Sequence, residues 1–347
     1  MKSYQPPSRV TLRDVAKTLG VSHVTVSLAL RNSPKITEAR RAAIKARAEE
    51  MNYQPNPMAA ALAHFKQNSK VVPVSAALAW LNFWPQPEKL RSYAEFDLYW
   101  QGAKVYAEKL GFHLEEFICN EKMPVPRIEQ ILHARGITGI LIPPHGSHPI
   151  DWGDFHWNDY SVVKFGRSVP QPDVNLVSAD QVSNTLLAFD EIRARGYERV
   201  GFITGQSASR GMLFQGGFLL AQRFVEPSLR LPILEVDEVN PMLSLQTTRQ
   251  WFKKEKPDAI FTDIRNLLPL LEKVGCRVPD DVGLAVTSVL DATADSGIYQ
   301  NPEEIGRVAL LSLVSLIHDN DRGVPKISRQ ILVEGDWVDG KTLPKKV

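Results

Sequence analysis

Residues 20–31 read GVSHVTVSLALR, a short apolar and β-branched run in which Ser22 stands directly before His23. Three readings compete for it: a serine nucleophile beside its base, a buried strand, or a helix with a contact surface. The flanking residues decide for the helix. Upstream, Leu12, Val15, Ala16 and Leu19 fall at i, i+3, i+4 and i+7, one face of a short helix, and Thr11 is placed to cap it. Gly20 can end that helix at positive φ. Ser22 can then cap a second helix in which Val21, Val26 and Leu30 point at the first. After the polar break Asn32-Ser33-Pro34, Thr37 is placed to cap a third helix, with Ile44, Ala48 and Met51 on its inner face. Three short helices with a tight turn between the first two make a helix-turn-helix unit.

Charge separates this unit from the rest. Residues 1–70 carry 12 Lys+Arg against four Asp+Glu, a net +8, while the remaining 277 carry 29 against 35, a net −6. A basic module on an acidic body is the pattern of a protein that offers one small domain to a polyanion. Tyr53-Gln54-Pro55-Asn56-Pro57 stops the helical unit. The helix-prone MAAALAHF that follows is too short to hold a helix alone, and the polar KQNSK leads into the body. The expected organisation is a headpiece over residues 1–54, a hinge and linker over 55–70, and a body over 71–347.

From residue 71 onward short apolar runs alternate with helical patterns. VVPVSAALA, HLEEFIC, GILIPP, SVVKFG, RVGFITG, LPILEV, AIFTD and GLAVTSV read as strands buried on both faces. Helical segments fall near 98–110, 126–135, 180–195, 212–224, 244–255, 265–274 and 302–318. Alternating strands and helices imply parallel sheets, and about 270 residues of this pattern suggest two similar α/β lobes. In such folds ligands sit at the carboxyl ends of the strands, here in a cleft between lobes.

The stretch VTLRDVAKTLGVSHVTVSLALRNSPKITEARRAAIKARAEEMNYQPNPMAAALA resembles the DNA-binding headpiece of the LacI/GalR bacterial transcription regulators. VTLxDVA, GVSxxTVS, Asn-Tyr-x-Pro-Asn and the final Ala-x-x-Leu all fall in register across residues 9–64. The body is similar in order to the family's periplasmic-binding-protein-like effector domain, with RGYERVGFITG, PDAIFTD and VPDDVGLAV as the carrying stretches. The resemblance implies an α/β fold class with an all-α headpiece. It implies a homodimer on pseudo-palindromic double-stranded operator DNA, and a regulator, in sign a repressor, controlled by a small molecule. By the family's pattern His23, Val24 and Leu28 read base edges, while Ser22, Thr25 and Ser27 suit phosphate contacts. Thr11, Arg31, Lys35 and Thr37 flank them. Leu28 cannot bind guanine as an Arg could, but it can touch a thymine methyl. The segment after Asn56 resembles the family's hinge helix, with Ala59 facing the minor groove and Leu62 as the wedge.

For the effector, the resemblance suggests a carbohydrate, yet several sugar-contact positions are changed. Phe214 replaces an Arg, Ile264-Arg265 replaces an Asn-Asp pair, and Ser288 replaces an acidic residue. Arg167, Asp180, Arg210 and Asp263 are candidate polar contacts, and Trp80, Trp84 and Trp100 are candidate stacking surfaces. Other classes find less support. GQSASRG, residues 205–211, misses the G-x-S-x-G nucleophile elbow at Ser209, so a hydrolase acting through Ser207 is disfavoured. His145, His148 and His156 lack metal-ligand spacing, and no phosphate-binding glycine loop appears, so neither metal nor cofactor is expected. A solute-binding sensor without DNA reading is the alternative, and it would call for an export signal. The N-terminal residues lack the apolar core of one, no run of 18 apolar residues suggests a membrane span, and two cysteines fit a reducing compartment. The expected location is the cytoplasm.

Overall fold

The computed structural model describes residues 12–30, 36–51, 76–145, 150–205, 211–237 and 240–346. Residues up to Pro73 and those from Val74 onward form two compact units. The first unit holds α1 (Leu12–Leu19), α2 (His23–Leu30) and α3 (Glu38–Glu50). Gly20, at φ +64°, turns the chain out of α1, and the Val21 amide donates to the Ala16 carbonyl at 3.1 Å. Ser22 Oγ accepts from the Thr25 amide at 3.1 Å, an N-cap bond worth about 1 kcal/mol. Val15, Ala16, Val26, Ala29, Ile44 and Ala48 form the small core, with Val21, Leu30 and Met51 packed at its rim. Thr37 stands at the cap position of α3 in an extended conformation, but its side chain makes no capping bond. Glu38 in the first turn is the group that suits the positive end of that helix.

The second unit is built on two six-stranded sheets. The first contains β1 (Ala76–Asn82), β2 (Phe112–Ile118), β3 (Gly139–Ile142), β4 (Ser161–Phe165), β5 (Asn175–Ala179) and β11 (Gln330–Val333), in the order β11-β5-β4-β3-β1-β2. Every pair in it is parallel. The second contains β6 (Val200–Gly205), β7 (Leu234–Val236), β8 (Ala259–Thr262), β9 (Gly283–Val286), β10 (Gly297–Tyr299) and β12 (Asp336–Val338), in the order β12-β10-β9-β8-β6-β7. Only the β10–β12 pair of this sheet is antiparallel. Helices α4 (Pro87–Ser92), α5 (Ala94–Lys109), α6 (Val125–Ala134) and α11 (Pro302–Asp319) belong to the first lobe. Helices α7 (Gln181–Ala194), α8 (Met212–Ala221), α9 (Leu245–Glu255) and α10 (Leu268–Val274) belong to the second. The chain crosses between sheets after β5, after β10 and between β11 and β12, so neither lobe is one continuous stretch.

Central strands are apolar because helices cover both faces; β3 and β4 are buried along their whole length. The edge strand β2 departs from that pattern: Leu114 and Phe117 are buried, while His113 and Ile118 are exposed. In the first lobe α5 and α11 touch backbone to backbone. A Cβ at Gly102 would lie 2.1 Å from the Glu303 carbonyl oxygen, and one at Gly306 2.1 Å from that of Tyr99. This close approach seats α11 against the first sheet although the chain reaches it from the second. Among the described residues the first body strand runs from Ala76 to Asn82, and residues 71–75 of the apolar run lie outside them. Trp80 lies within β1 and is fully buried.

Candidate ligand cleft and DNA-facing helix

On the headpiece, burial of Val26 and Ala29 fixes which side of α2 faces inward. Ser22 and His23 are exposed, and Thr25 and Leu28 are half-buried at the margin of the core. Ser22 Oγ also lies 2.9 Å from Thr25 Oγ1, so the two hydroxyls sit together at the helix start. Thr37 is exposed at the start of α3. The side chains of Val24 and Ser27, together with Thr11, Arg31, Lys35, Asn56, Ala59 and Leu62, lie outside the described residues. Ser22 and His23 do not form a nucleophile–base pair in this arrangement, because Ser22 is committed to capping its own helix.

In the second unit a cleft of about 450 Å³ opens where the carboxyl ends of both sheets face each other. That volume suits a small organic ligand. Its first-lobe wall is aromatic. Trp84, just past β1, is fixed by its indole N–H to the Pro144 carbonyl at 2.8 Å, and its own amide donates to Asn82 Oδ1 at 3.0 Å. Its ring centre lies 5.7 Å from Tyr93 and 6.3 Å from His145. Tyr99 stacks on Phe165 with centroids 5.2 Å apart and donates its hydroxyl to Glu95 Oε1 at 2.9 Å. Burial, and then the neighbouring Glu95 carboxylate, push the Tyr99 phenol well above its usual pKa, so it stays a donor. Ser168 Oγ accepts from the His145 amide at 3.0 Å and joins the loops after β3 and β4.

The loop after β4 is itself organised by a buried cation. Lys164 Nζ donates to the carbonyls of Val169, Pro170 and Pro172 at 3.0, 3.3 and 2.8 Å. Burial lowers its pKa. Arg167 is carried on this loop at the rim of the cleft and donates to Gln330 Oε1 at 2.5 Å.

The second-lobe wall is more polar. Asp263 follows β8 and accepts from Thr204 Oγ1 at 2.8 Å. A Cβ at Gly211 would lie 2.7 Å from Thr204 Oγ1 and 3.0 Å from Asp263 Oδ2, so this pair needs a glycine beside it. Ser288 Oγ is shielded and has no hydrogen-bond partner among the described residues; a ligand hydroxyl or carboxylate would satisfy it. Phe214 on α8 lines the cleft with Val286 and Ile264.

Of the residues expected at the effector site, Trp84, Arg167, Phe214, Asp263 and Ser288 border this one cleft. Three do not. Trp80 is wholly buried and packs edge-on against Trp100 at 5.4 Å, both inside the first lobe's core. Their apolar rings are used for packing, and Arg91 covers the Trp100 ring at 5.0 Å. Asp180 caps α7, accepting from the Ser183 amide at 3.0 Å and its hydroxyl at 2.8 Å. Arg210 lies outside the described residues. Tyr93, Glu95, Phe96 and Tyr99 line the cleft and were not expected there, while Arg265, read as a replaced contact, lines it too. Tyr93, Phe96 and Tyr99 recur every three residues around the start of α5, a signal that resembles ordinary core patterning.

Comparison with known proteins bears on both parts. Residues 11–56 match the family described as "Bacterial regulatory proteins, lacI family". The HTH-type transcriptional regulator PtxS of Pseudomonas aeruginosa is 22% identical over 351 residues, covering 94% of this chain and 95% of the relative. The probable HTH-type transcriptional repressor ExuR of Bacillus subtilis is 48% identical over 60 residues, 17% of this chain and 18% of the relative. Among solved structures, the transcriptional regulator CelR–cellobiose complex is similar with a TM-score of 0.53 and 20% identity, over 96% of this chain and all of that one. The lac repressor dimer bound to operator and the anti-inducer ONPF gives a TM-score of 0.52 at 20% identity, over 97% of this chain and all of that one. The shared fold is thus a headpiece followed by two α/β lobes.

Proposed function

We propose, for a chain whose N-terminal module belongs to the lacI family of bacterial regulatory proteins, a sequence-specific DNA-binding transcriptional regulator whose operator affinity is set by a small molecule in the cleft. One observation carries the reading. A helix-turn-helix unit that keeps Ser22 and His23 exposed at the start of α2 is joined in one chain to two lobes whose strand ends converge on a ligand-sized cleft. Ser22, His23, Val24, Thr25, Ser27 and Leu28 face the major groove in this proposal, with Thr11, Arg31, Lys35 and Thr37 on the backbone and Asn56, Ala59 and Leu62 at the minor groove.

The working assembly is a homodimer. Leu219, Leu220 and Phe224, at the end of α8 and just beyond it, are exposed by 54, 44 and 85%, an apolar stripe that a second copy would cover. The lac repressor that this fold resembles is a dimer on its operator. The regulator acts as a repressor in the cytoplasm; among the described residues no helix is long and apolar enough to cross a membrane. Catalysis has no part in the proposal. The effector is a polar small molecule of carbohydrate type, held by Asp263, Ser288 and Arg167 against Trp84. Cellobiose in the related complex supports that class, while Phe214 and Ile264 in place of polar contacts imply a different member of it.

Thermal-shift screening of sugars and sugar acids identifies the ligand, and operator affinity is then titrated with and without it. A ligand that stabilises the body and changes operator affinity severalfold is the expected result. A ligand that binds in the cleft and leaves operator affinity unchanged refutes the coupling.

A further inference from the structure

We propose that the first lobe carries a binding cage for a guanidinium group, and that Arg265 of the second lobe occupies it and ties the lobes across the cleft. Arg265 Cζ lies 4.4 Å over the Tyr93 ring and 5.8 Å from that of Phe96. Its Nη2 is 3.9 Å from Glu95 Oε2. Trp84 backs the cage, with its ring 5.7 Å from Tyr93 and 6.4 Å from Phe96. Aromatic faces around a carboxylate are the chemistry that recognises guanidinium and alkylammonium groups. The carboxylate is held for that purpose: Glu95 is nearly buried, and the Tyr99 hydroxyl fixes one of its oxygens at 2.9 Å. Desolvation on both sides strengthens the attraction relative to an exposed pair.

A second contact reaches the same helix end. Asp291 Oδ2, also from the second lobe, lies 3.5 Å from the Glu95 amide nitrogen in the first turn of α5, where a negative charge is favoured. Arg265 and Asp291 sit on loops that are joined, because the Thr293 amide and hydroxyl both donate to the Arg265 carbonyl at 2.8 and 3.1 Å. The second lobe therefore grips the start of α5 with a cation and an anion on one support. A ligand bearing its own guanidinium or ammonium group competes with Arg265 for the cage and loosens the grip. The inference rests on the cleft reading above, but its test needs no DNA, so its failure leaves operator binding untouched.

The test uses the full chain with Arg265→Ala and, as an uncharged polar side chain that keeps part of the stem and the fold if alanine does not, Arg265→Gln. Lobe separation is read by small-angle scattering and by amide hydrogen exchange in the first turn of α5. Both variants are expected to open, with exchange in that turn rising about tenfold. An excess of methylguanidinium, which has no link to the second lobe, should displace Arg265 and open the wild-type chain while leaving both variants as they are; urea, a neutral molecule of similar shape, should not open it. Wild-type scattering and exchange in the variants overturn the proposal. So does a wild-type chain that methylguanidinium fails to open, or that urea opens equally.

Discussion

Replacing Lys164 by Met removes the ammonium that holds the loop carrying Arg167 and Ser168, and keeps the aliphatic stem. Lys164 is 4% exposed, and three carbonyls, those of Val169, Pro170 and Pro172, point at its Nζ. Each hydrogen bond to a charged group contributes about 1.5–3 kcal/mol when its loss strands a buried acceptor. Against that gain stands the cost of burying the charge, visible in the lowered pKa. The net loss expected for Lys164→Met is about 2–4 kcal/mol. In a body of this size that lowers its melting temperature by about 4–8 °C. All seven tryptophans fall at residue 80 or later, so intrinsic fluorescence follows the body alone. The pH dependence gives a second check. A lysine whose folded pKa lies below the usual 10.5 binds fewer protons folded than unfolded in the window between the two values. Wild-type stability should rise with pH through that window, and Lys164→Met should lose the rise. A variant melting within about 1 °C of wild type, with the alkaline rise intact, would refute the reasoning.

The touching helices predict that Gly306→Ala, whose new Cβ would meet the Tyr99 carbonyl oxygen, destabilises the body by about 1–3 kcal/mol. Gly216→Ala on α8, with nothing within 4 Å of a new Cβ, should instead be neutral or stabilising by up to about 1 kcal/mol; urea titrations followed by tryptophan emission compare them. Burial pushes the Cys119 thiol up to about 12, while Cys276 is only half-buried. Iodoacetamide at pH near 8 should therefore modify Cys276 first and Cys119 only in denaturant; equal rates would contradict the packing described. Ser22→Ala should cost the headpiece about 1 kcal/mol, seen as an earlier helical transition by circular dichroism with the tryptophan transition unmoved.

The headpiece was legible because its signals are local. A glycine at the turn, a capping serine and i, i+3, i+4 spacing lie within twenty residues and need no tertiary context. The strands at the lobe centres were legible as apolar runs, but β5, β10, β11 and β12 were not. NLVSA and GIY are short and mixed in polarity, and their pairing depends on a chain that passes from sheet to sheet. Trp80 and Trp100 show the limit for the cleft. An aromatic within a strand and one in the loop just after it read alike in sequence, and only the end of β1 at Asn82 decides that Trp80 faces the core and Trp84 the cleft. Arg265 was noticed as a replaced contact, yet its partners Tyr93, Glu95 and Phe96 lie about 170 residues away on the other lobe. No periodicity links them.

The central claim, that the basic headpiece reads DNA in a chain whose body does not, is tested most directly by salt. Duplexes selected from a random library by the full chain are titrated by fluorescence anisotropy over a range of potassium chloride. With several Lys and Arg of each headpiece displacing counterions, the slope of log K against log salt should be about −5 to −9 for a dimer. The selected duplex should outcompete random sequence by about a thousandfold or more. A slope near zero, or equal affinity for selected and random duplexes, would contradict the account.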